Sequence, residues 1–169
     1  MITKQQIEKA NKSSRSRGCI GKNAVVPRYI LEHADKSAEI LDFGAGKDAI
    51  HTTMLRNEGF LCVTAHEFGS NIVEGVHCPI ALDRIYDIVF ASNVLNVQSN
   101  PTMMHQTIGD IREATKTVFI CNYPNSPRYS NLTAKQVEQV LCDYFMKVER
   151  VGGTASAPVW ECWVRPRLH

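Results

Sequence analysis

The sequence predicts an α/β fold in which a mostly parallel sheet carries helices on both faces and closes with an antiparallel hairpin. Three observations carry this reading. Short apolar runs alternate with stretches of helical period from Glu39 to Tyr144. One of those runs, Ile40-Leu41-Asp42-Phe43, leads straight into Gly44-Ala45-Gly46 ahead of a helix. The last two runs, Phe145–Val151 and Val159–Val164, are separated only by a Gly-Gly-Thr-Ala-Ser-Ala-Pro loop, too short for a parallel crossover.

Each element has a local reason. Gln5–Asn11 is a polar helical stretch, followed by Ser13–Gly18, too polar and too rich in Ser and Gly for a core. Val26, Ile30, Leu31 and Ala34 share a helical face, and Pro27 suits a first turn, so Val25–Ala34 is a helix leading into the sheet. Glu39–Phe43 is the first strand, and Ala49–Asn57 a helix that Gly59 stops. Phe60–Ala65 and Ile85–Ala91 follow as strands, then the helix Thr102–Glu113, the strand Thr117–Cys121 and the helix Thr133–Tyr144. Between Gly69 and Asp83 a further strand is expected, and Ile72–His77 is the candidate.

At 169 residues, 44% hydrophobic and 21% charged, the chain fits a single globular domain and is unlike a disordered or repetitive one. Two parts are expected: a basic arm and helix over residues 1–37 and the sheet domain over residues 38–169. No apolar run is long enough for a membrane span and the start of the chain is polar, so the expected location is the cytoplasm. The six cysteines form no CxxC pair and read as reduced packing residues, with no metal expected. Charge is uneven. Residues 1–28 carry Lys4, Lys9, Lys12, Arg15, Arg17, Lys22 and Arg28 against Glu8, a net +6 in a chain of net +2. Such an arm suits phosphates, which makes nucleic acid a candidate partner; a solvated helix face explains the same charges.

The chemistry centres on the glycine turn. Gly44 and Gly46 let the backbone turn tightly and approach a ligand, and the next helix offers its positive end. The third glycine of a dinucleotide fingerprint would fall at Ala49, so the turn alone leaves nicotinamide and other adenosyl cofactors open. Asp42 would repel a pyrophosphate but suits the cationic end of an amino-acid-like cofactor, and Glu67, past the second strand, stands where an acid accepts bonds from ribose hydroxyls. Both favour S-adenosylmethionine.

The strand-D-x-G-x-G turn with an acid ending the next strand resembles the class I S-adenosylmethionine-dependent methyltransferases, which implies a Rossmann-like methyltransferase sandwich. The resemblance runs from about Ala38 to Arg165 and continues at Tyr86-Asp87-Ile88-Val89-Phe90-Ala91-Ser92-Asn93. Leu95-Asn96-Val97 and the Pro101 helix start are similar to methyltransferases associated with bacterial DNA phosphorothioation systems. What the resemblance implies is a cofactor site of Asp42, Gly44, Ala45, Gly46, Glu67, Phe68, Ser92 and Asn93, with Ser92 and Asn93 where acceptor and methyl meet.

The acceptor stays open. The loop Ser92-Asn93-Val94-Leu95 lacks the two prolines and the aromatic of amino-methylating nucleic-acid enzymes, and no cysteine nucleophile stands near it. In Asn122–Tyr129, Pro124 and Pro127 shape a turn, while Tyr123 and Tyr129 could stack a planar acceptor and Arg128 hold an anionic group. Asn93, His105 and Tyr123 form the candidate catalytic set, His105 as a general base. A nicotinamide-dependent oxidoreductase and a non-catalytic S-adenosylmethionine-binding module are the alternatives, and the oligomeric state is open.

Overall fold

The computed structural model describes residues 2–13 and 24–166. In chain order its elements are α1 (Lys4–Ser13), α2 (Val25–His33), β1 (Glu39–Phe43), α3 (Ile50–Asn57), β2 (Cys62–His66), β3 (Tyr86–Ala91), α4 (Pro101–Ala114), β4 (Thr115–Asn122), α5 (Ala134–Tyr144), β5 (Lys147–Gly153) and β6 (Pro158–Trp163). Six strands form one sheet in the order β2-β1-β3-β4-β6-β5. The first four pair in parallel, and β6 runs antiparallel to both β4 and β5.

Alternation along each strand feeds two cores. Leu41, Phe43, Val89, Ala91, Phe119 and Cys121 point to the face covered by α4 and α5, where Met104, Ile108, Val137 and Leu141 meet them. Ile40, Ile88, Phe90, Val118 and Ile120 point the other way, to Val26 and Ile30 of α2 and Leu55 of α3. The helices also carry their own terminators. Asn100 accepts the Met103 N–H ahead of Pro101, and Thr133 with Gln136 closes a reciprocal capping box on α5.

One expected element is absent. Residues 72–77 form no strand; they lie in a loop between 3-10 turns at Gly69–Asn71 and Ala81–Asp83, and β2 is the edge of the sheet. The apolar side chains that suggested a strand, Ile72 and Val76, are exposed, so there is no core for them to join. The buried residue of the segment is His77. Its Nδ1 accepts the Val73 N–H at 2.9 Å, which leaves Nε2 to donate to the Gly46 carbonyl at 2.7 Å. The cysteines divide too. Cys121 and Cys162 are buried packing residues as expected, but Cys62 and Cys142 are exposed, Cys62 because it opens an edge strand. Cys19 lies outside the described residues. Among those residues no helix is long and apolar enough to cross a membrane.

Candidate active site

Chain direction places the site. After β1 the chain crosses through α3 to β2 on one side, while β3 lies on the other side of β1, so the carboxyl ends of β1 and β3 diverge into a crevice. A cavity of about 160 Å³ opens there, lined by the β1 turn, Glu67 and Phe68, Ser92–Val94 and part of α4.

The turn after β1 is held from several directions. Gly44 and Gly46 have φ of +71° and +80°. Ala45 donates its N–H to His66 O at 2.9 Å, and Gly46 donates to Glu67 Oε2 at 2.7 Å. The other Glu67 oxygen takes the Phe68 N–H at 2.9 Å. Glu67 therefore clamps the turn to the end of β2, and each oxygen keeps a further lone pair. Its pKa is raised, chiefly by burial.

The two glycines differ in what surrounds them. A Cβ at Gly44 would lie 2.8 Å from Val94 Cγ2, so a side chain there collides with the protein itself. A Cβ at Gly46 would meet nothing within 4 Å, and that glycine borders open cavity. Ala49, at the position of the missing third glycine, adopts a left-handed conformation (φ +47°) as N-cap of α3. It packs in a small cluster with Ala45 and Ala65, which keeps the helix start close to the turn.

Asp42 is 1% exposed and accepts the Thr52 hydroxyl at 2.7 Å. Burial, reinforced by the Glu67 charge, pushes its pKa up to about 7. Nearby, His66 is enclosed by the rings of Phe43 and Phe68, and burial followed by the charge of His77 lowers its pKa to about 4.

At the end of β3, Asn93 is left-handed at φ +57° and locked by an amide pair. Its N–H donates to Asn122 Oδ1, and Asn122 Nδ2 donates to Asn93 Oδ1, both at 2.8 Å. The Ser92 hydroxyl beside it is buried and has no hydrogen-bond partner. Asn122 carried no sequence signal, because its partner is 29 residues away.

All eight residues expected at the cofactor site, Asp42, Gly44, Ala45, Gly46, Glu67, Phe68, Ser92 and Asn93, line this one cavity. The rest of the catalytic set is placed elsewhere. Tyr123 is fully buried, and its hydroxyl donates to Leu132 O at 2.7 Å beside Ser130 Oγ. His105 turns toward α5, with Nδ1 3.3 Å from the Tyr144 hydroxyl, whereas Met103 and Thr107 of the same helix line the cavity. Arg128 is occupied by structure: it donates to Pro124 O, Tyr123 O and Ser156 O and stacks 3.9 Å over the Tyr123 ring. Tyr129 donates its N–H to Asn96 O, and Lys9 stands over its ring. Of the basic arm, Arg15, Arg17 and Lys22 lie outside the described residues, and Arg28 faces Glu32 in an exposed pair.

This architecture is the Rossmann-like methyltransferase fold, and solved methyltransferases superpose on most of the chain. A TehB-like S-adenosylmethionine-dependent methyltransferase from Corynebacterium glutamicum matches at TM-score 0.63 and 12% identity, over 95% of this chain and 98% of its own. Magnesium protoporphyrin IX methyltransferase from Synechocystis, solved with S-adenosylhomocysteine, matches at 0.63 and 14%, over 94% and 85%. A Burkholderia thailandensis 1,6-didemethyltoxoflavin-N1-methyltransferase, with its substrate and S-adenosylhomocysteine, matches at 0.60 and 16%, over 94% and 85%. No protein-family model and no curated protein sequence matches this chain.

Proposed function

We propose that this protein is an enzyme that binds S-adenosylmethionine in the β1–β3 cavity and transfers its methyl group to an acceptor. The observation that carries the reading is the glycine turn clamped by Glu67 with open space at Gly46, in a fold shared with methyltransferases. The donor set fits the cofactor. Glu67 has lone pairs to spare for ribose hydroxyls, Asp42 becomes an anion near neutral pH to face a cationic tail, and the buried Ser92 hydroxyl lacks a partner.

When bound, the cofactor supplies a methyl group already activated on a sulfonium. The residues of the chain have the tasks of orientation and exclusion of water. Gly44–Gly46 and Glu67 hold the adenosyl end, and Asn93, pinned by Asn122, fixes the exit of β3 beside the reacting centre. Tyr123 is a positioning residue that anchors the loop after β4 through Leu132 and Ser130. A nucleic-acid acceptor rests on the cations of residues 1–28 alone, and the finer likeness to phosphorothioation-associated methyltransferases on Leu95-Asn96-Val97 and the Pro101 helix start.

Titration calorimetry tests the proposal. S-adenosylmethionine and S-adenosylhomocysteine are expected to bind at about micromolar Kd and more tightly than NAD+. Gly46→Val is expected to abolish that binding by filling the open space. Tighter binding of NAD+, or unchanged cofactor affinity in Gly46→Val, refutes the assignment.

A further inference from the structure

The cavity has a roof that belongs to no sequence motif. α1 lies across its mouth and is fastened to the turn after β2. Asn11 Nδ2 donates to Phe68 O at 2.9 Å, and the Glu8 carboxylate takes the Ser70 hydroxyl at 2.8 Å and its N–H at 3.3 Å. Gly69 makes the close approach possible: a Cβ on it would lie 2.8 Å from Ile7 Cγ2 and 3.0 Å from Glu8 Oε1. Docked this way, α1 and the short segment before it turn Ile2, Ile7 and Ala10 into the cavity.

Val94, Val97 and Met103 line the same cavity. The polar groups among them are tied to one another. Gln98 Nε2 donates to Val94 O at 2.8 Å, and the Thr107 hydroxyl donates to Gln98 Oε1 at 2.8 Å. Among the described lining residues none is Lys or Arg, and the ionisable ones, Asp42, His51 and Glu67, come from β1, α3 and the end of β2. An anionic ligand would meet carboxylates with no cation among the described lining residues to offset them, and a polymer would have to displace α1.

We infer that the acceptor is a small, non-anionic molecule with an aromatic body, held between α1 and the Val94–Thr107 wall, whose neutral heteroaromatic nitrogen attacks the methyl carbon. The inference rests on the cofactor reading of the cavity given above. In the transfer step the nitrogen lone pair forms the bond to the methyl carbon, and the carbon–sulfur electron pair stays on sulfur. The positive charge passes from sulfur to nitrogen and no proton is released. This suits a wall whose polar groups are already engaged, and the carboxylates of the neighbouring wall favour the cation formed.

The test uses the full chain saturated with S-adenosylhomocysteine and two probes of one shape, quinoline and quinoline-2-carboxylate, with binding followed by ligand-observed NMR. Quinoline is expected to bind at least about tenfold more tightly than the carboxylate. Val97→Trp, which fills the chamber, is expected to weaken quinoline about tenfold while S-adenosylhomocysteine still binds. Gly69→Ala, which undocks α1 and removes the apolar roof, is expected to weaken quinoline about tenfold. Equal or tighter binding of the carboxylate, or methylation of single-stranded DNA or RNA that Val97→Trp leaves intact, overturns the inference. Failure of S-adenosylhomocysteine to bind the wild-type protein overturns instead the cofactor reading beneath it.

Discussion

Asp42→Asn is expected to stabilise the ligand-free protein by an amount that grows with pH. The wild-type carboxyl sits at 1% exposure with its pKa pushed from 3.8 to about 7, first by burial and then by the charge of Glu67, against the opposing bond from Thr52. In the unfolded chain the same group ionises near pH ~3.9. Between about pH 4 and pH 7 the folded protein holds a proton that the unfolded chain has lost, so stability falls as pH rises through that window and levels off above it. A shift of this size corresponds to about 4 kcal/mol. Asn can still accept the Thr52 hydroxyl bond but has no charge to bury. The variant should therefore match wild type near about pH 4 and exceed it by up to about 4 kcal/mol at about pH 8. His66 acts in the opposite sense: its pKa is lowered from 6.5 to about 4, so its contribution is lost as pH falls across that range. Because both proteins contain His66, its effect cancels in the difference. Urea unfolding at several pH values measures it. A gap that does not widen with pH, or a variant less stable than wild type at about pH 8, refutes the reasoning. The same charge has a counterpart in binding: affinity for the cationic cofactor should rise with pH through about 7 in wild type and not in Asp42→Asn.

Three further outcomes are expected. Asn122→Ala frees Asn93 from its left-handed conformation, so methyl transfer to any acceptor should fall about tenfold or more while the midpoint of thermal unfolding moves by only a few degrees; unchanged turnover would remove the amide pair from the site. Glu67→Gln replaces one accepting oxygen with an amide that faces a backbone N–H, so cofactor affinity should drop by ~1–3 kcal/mol in calorimetry and amide exchange at Gly46 should quicken. Wild-type values on both would show that the clamp is dispensable. Arg128→Ala releases three carbonyls and a stacked ring, with an expected loss of about 2 kcal/mol or more in urea unfolding. A neutral result would return Arg128 to the surface as a free cation.

What the sequence by itself determined is local. The glycine turn, the helix that Gly59 ends and the terminal hairpin are each dictated within a window of a few residues, by backbone sterics, side-chain period and loop length, and the structure reproduces each to within one or two residues at most boundaries. That the eight residues expected at a cofactor site would gather at one cavity was legible for the same reason: they sit at strand ends, and in a parallel sheet the strand ends converge without further information. Tertiary structure decided what depends on partners far along the chain. Ile72 and Val76 have the composition of a strand, yet no core lies beside them, while His77 in the same segment is drawn inward to the Gly46 carbonyl. Tyr123 and Arg128 looked like a ligand clamp, but packing engages the hydroxyl with Leu132 and the guanidinium with three carbonyls. Where the polar helix at the start of the chain seats was not legible, because its docking depends on the missing side chain at Gly69, 62 residues from Ile7. Period and composition report what a segment would prefer to bury. Only the folded chain shows which surfaces are there to bury it.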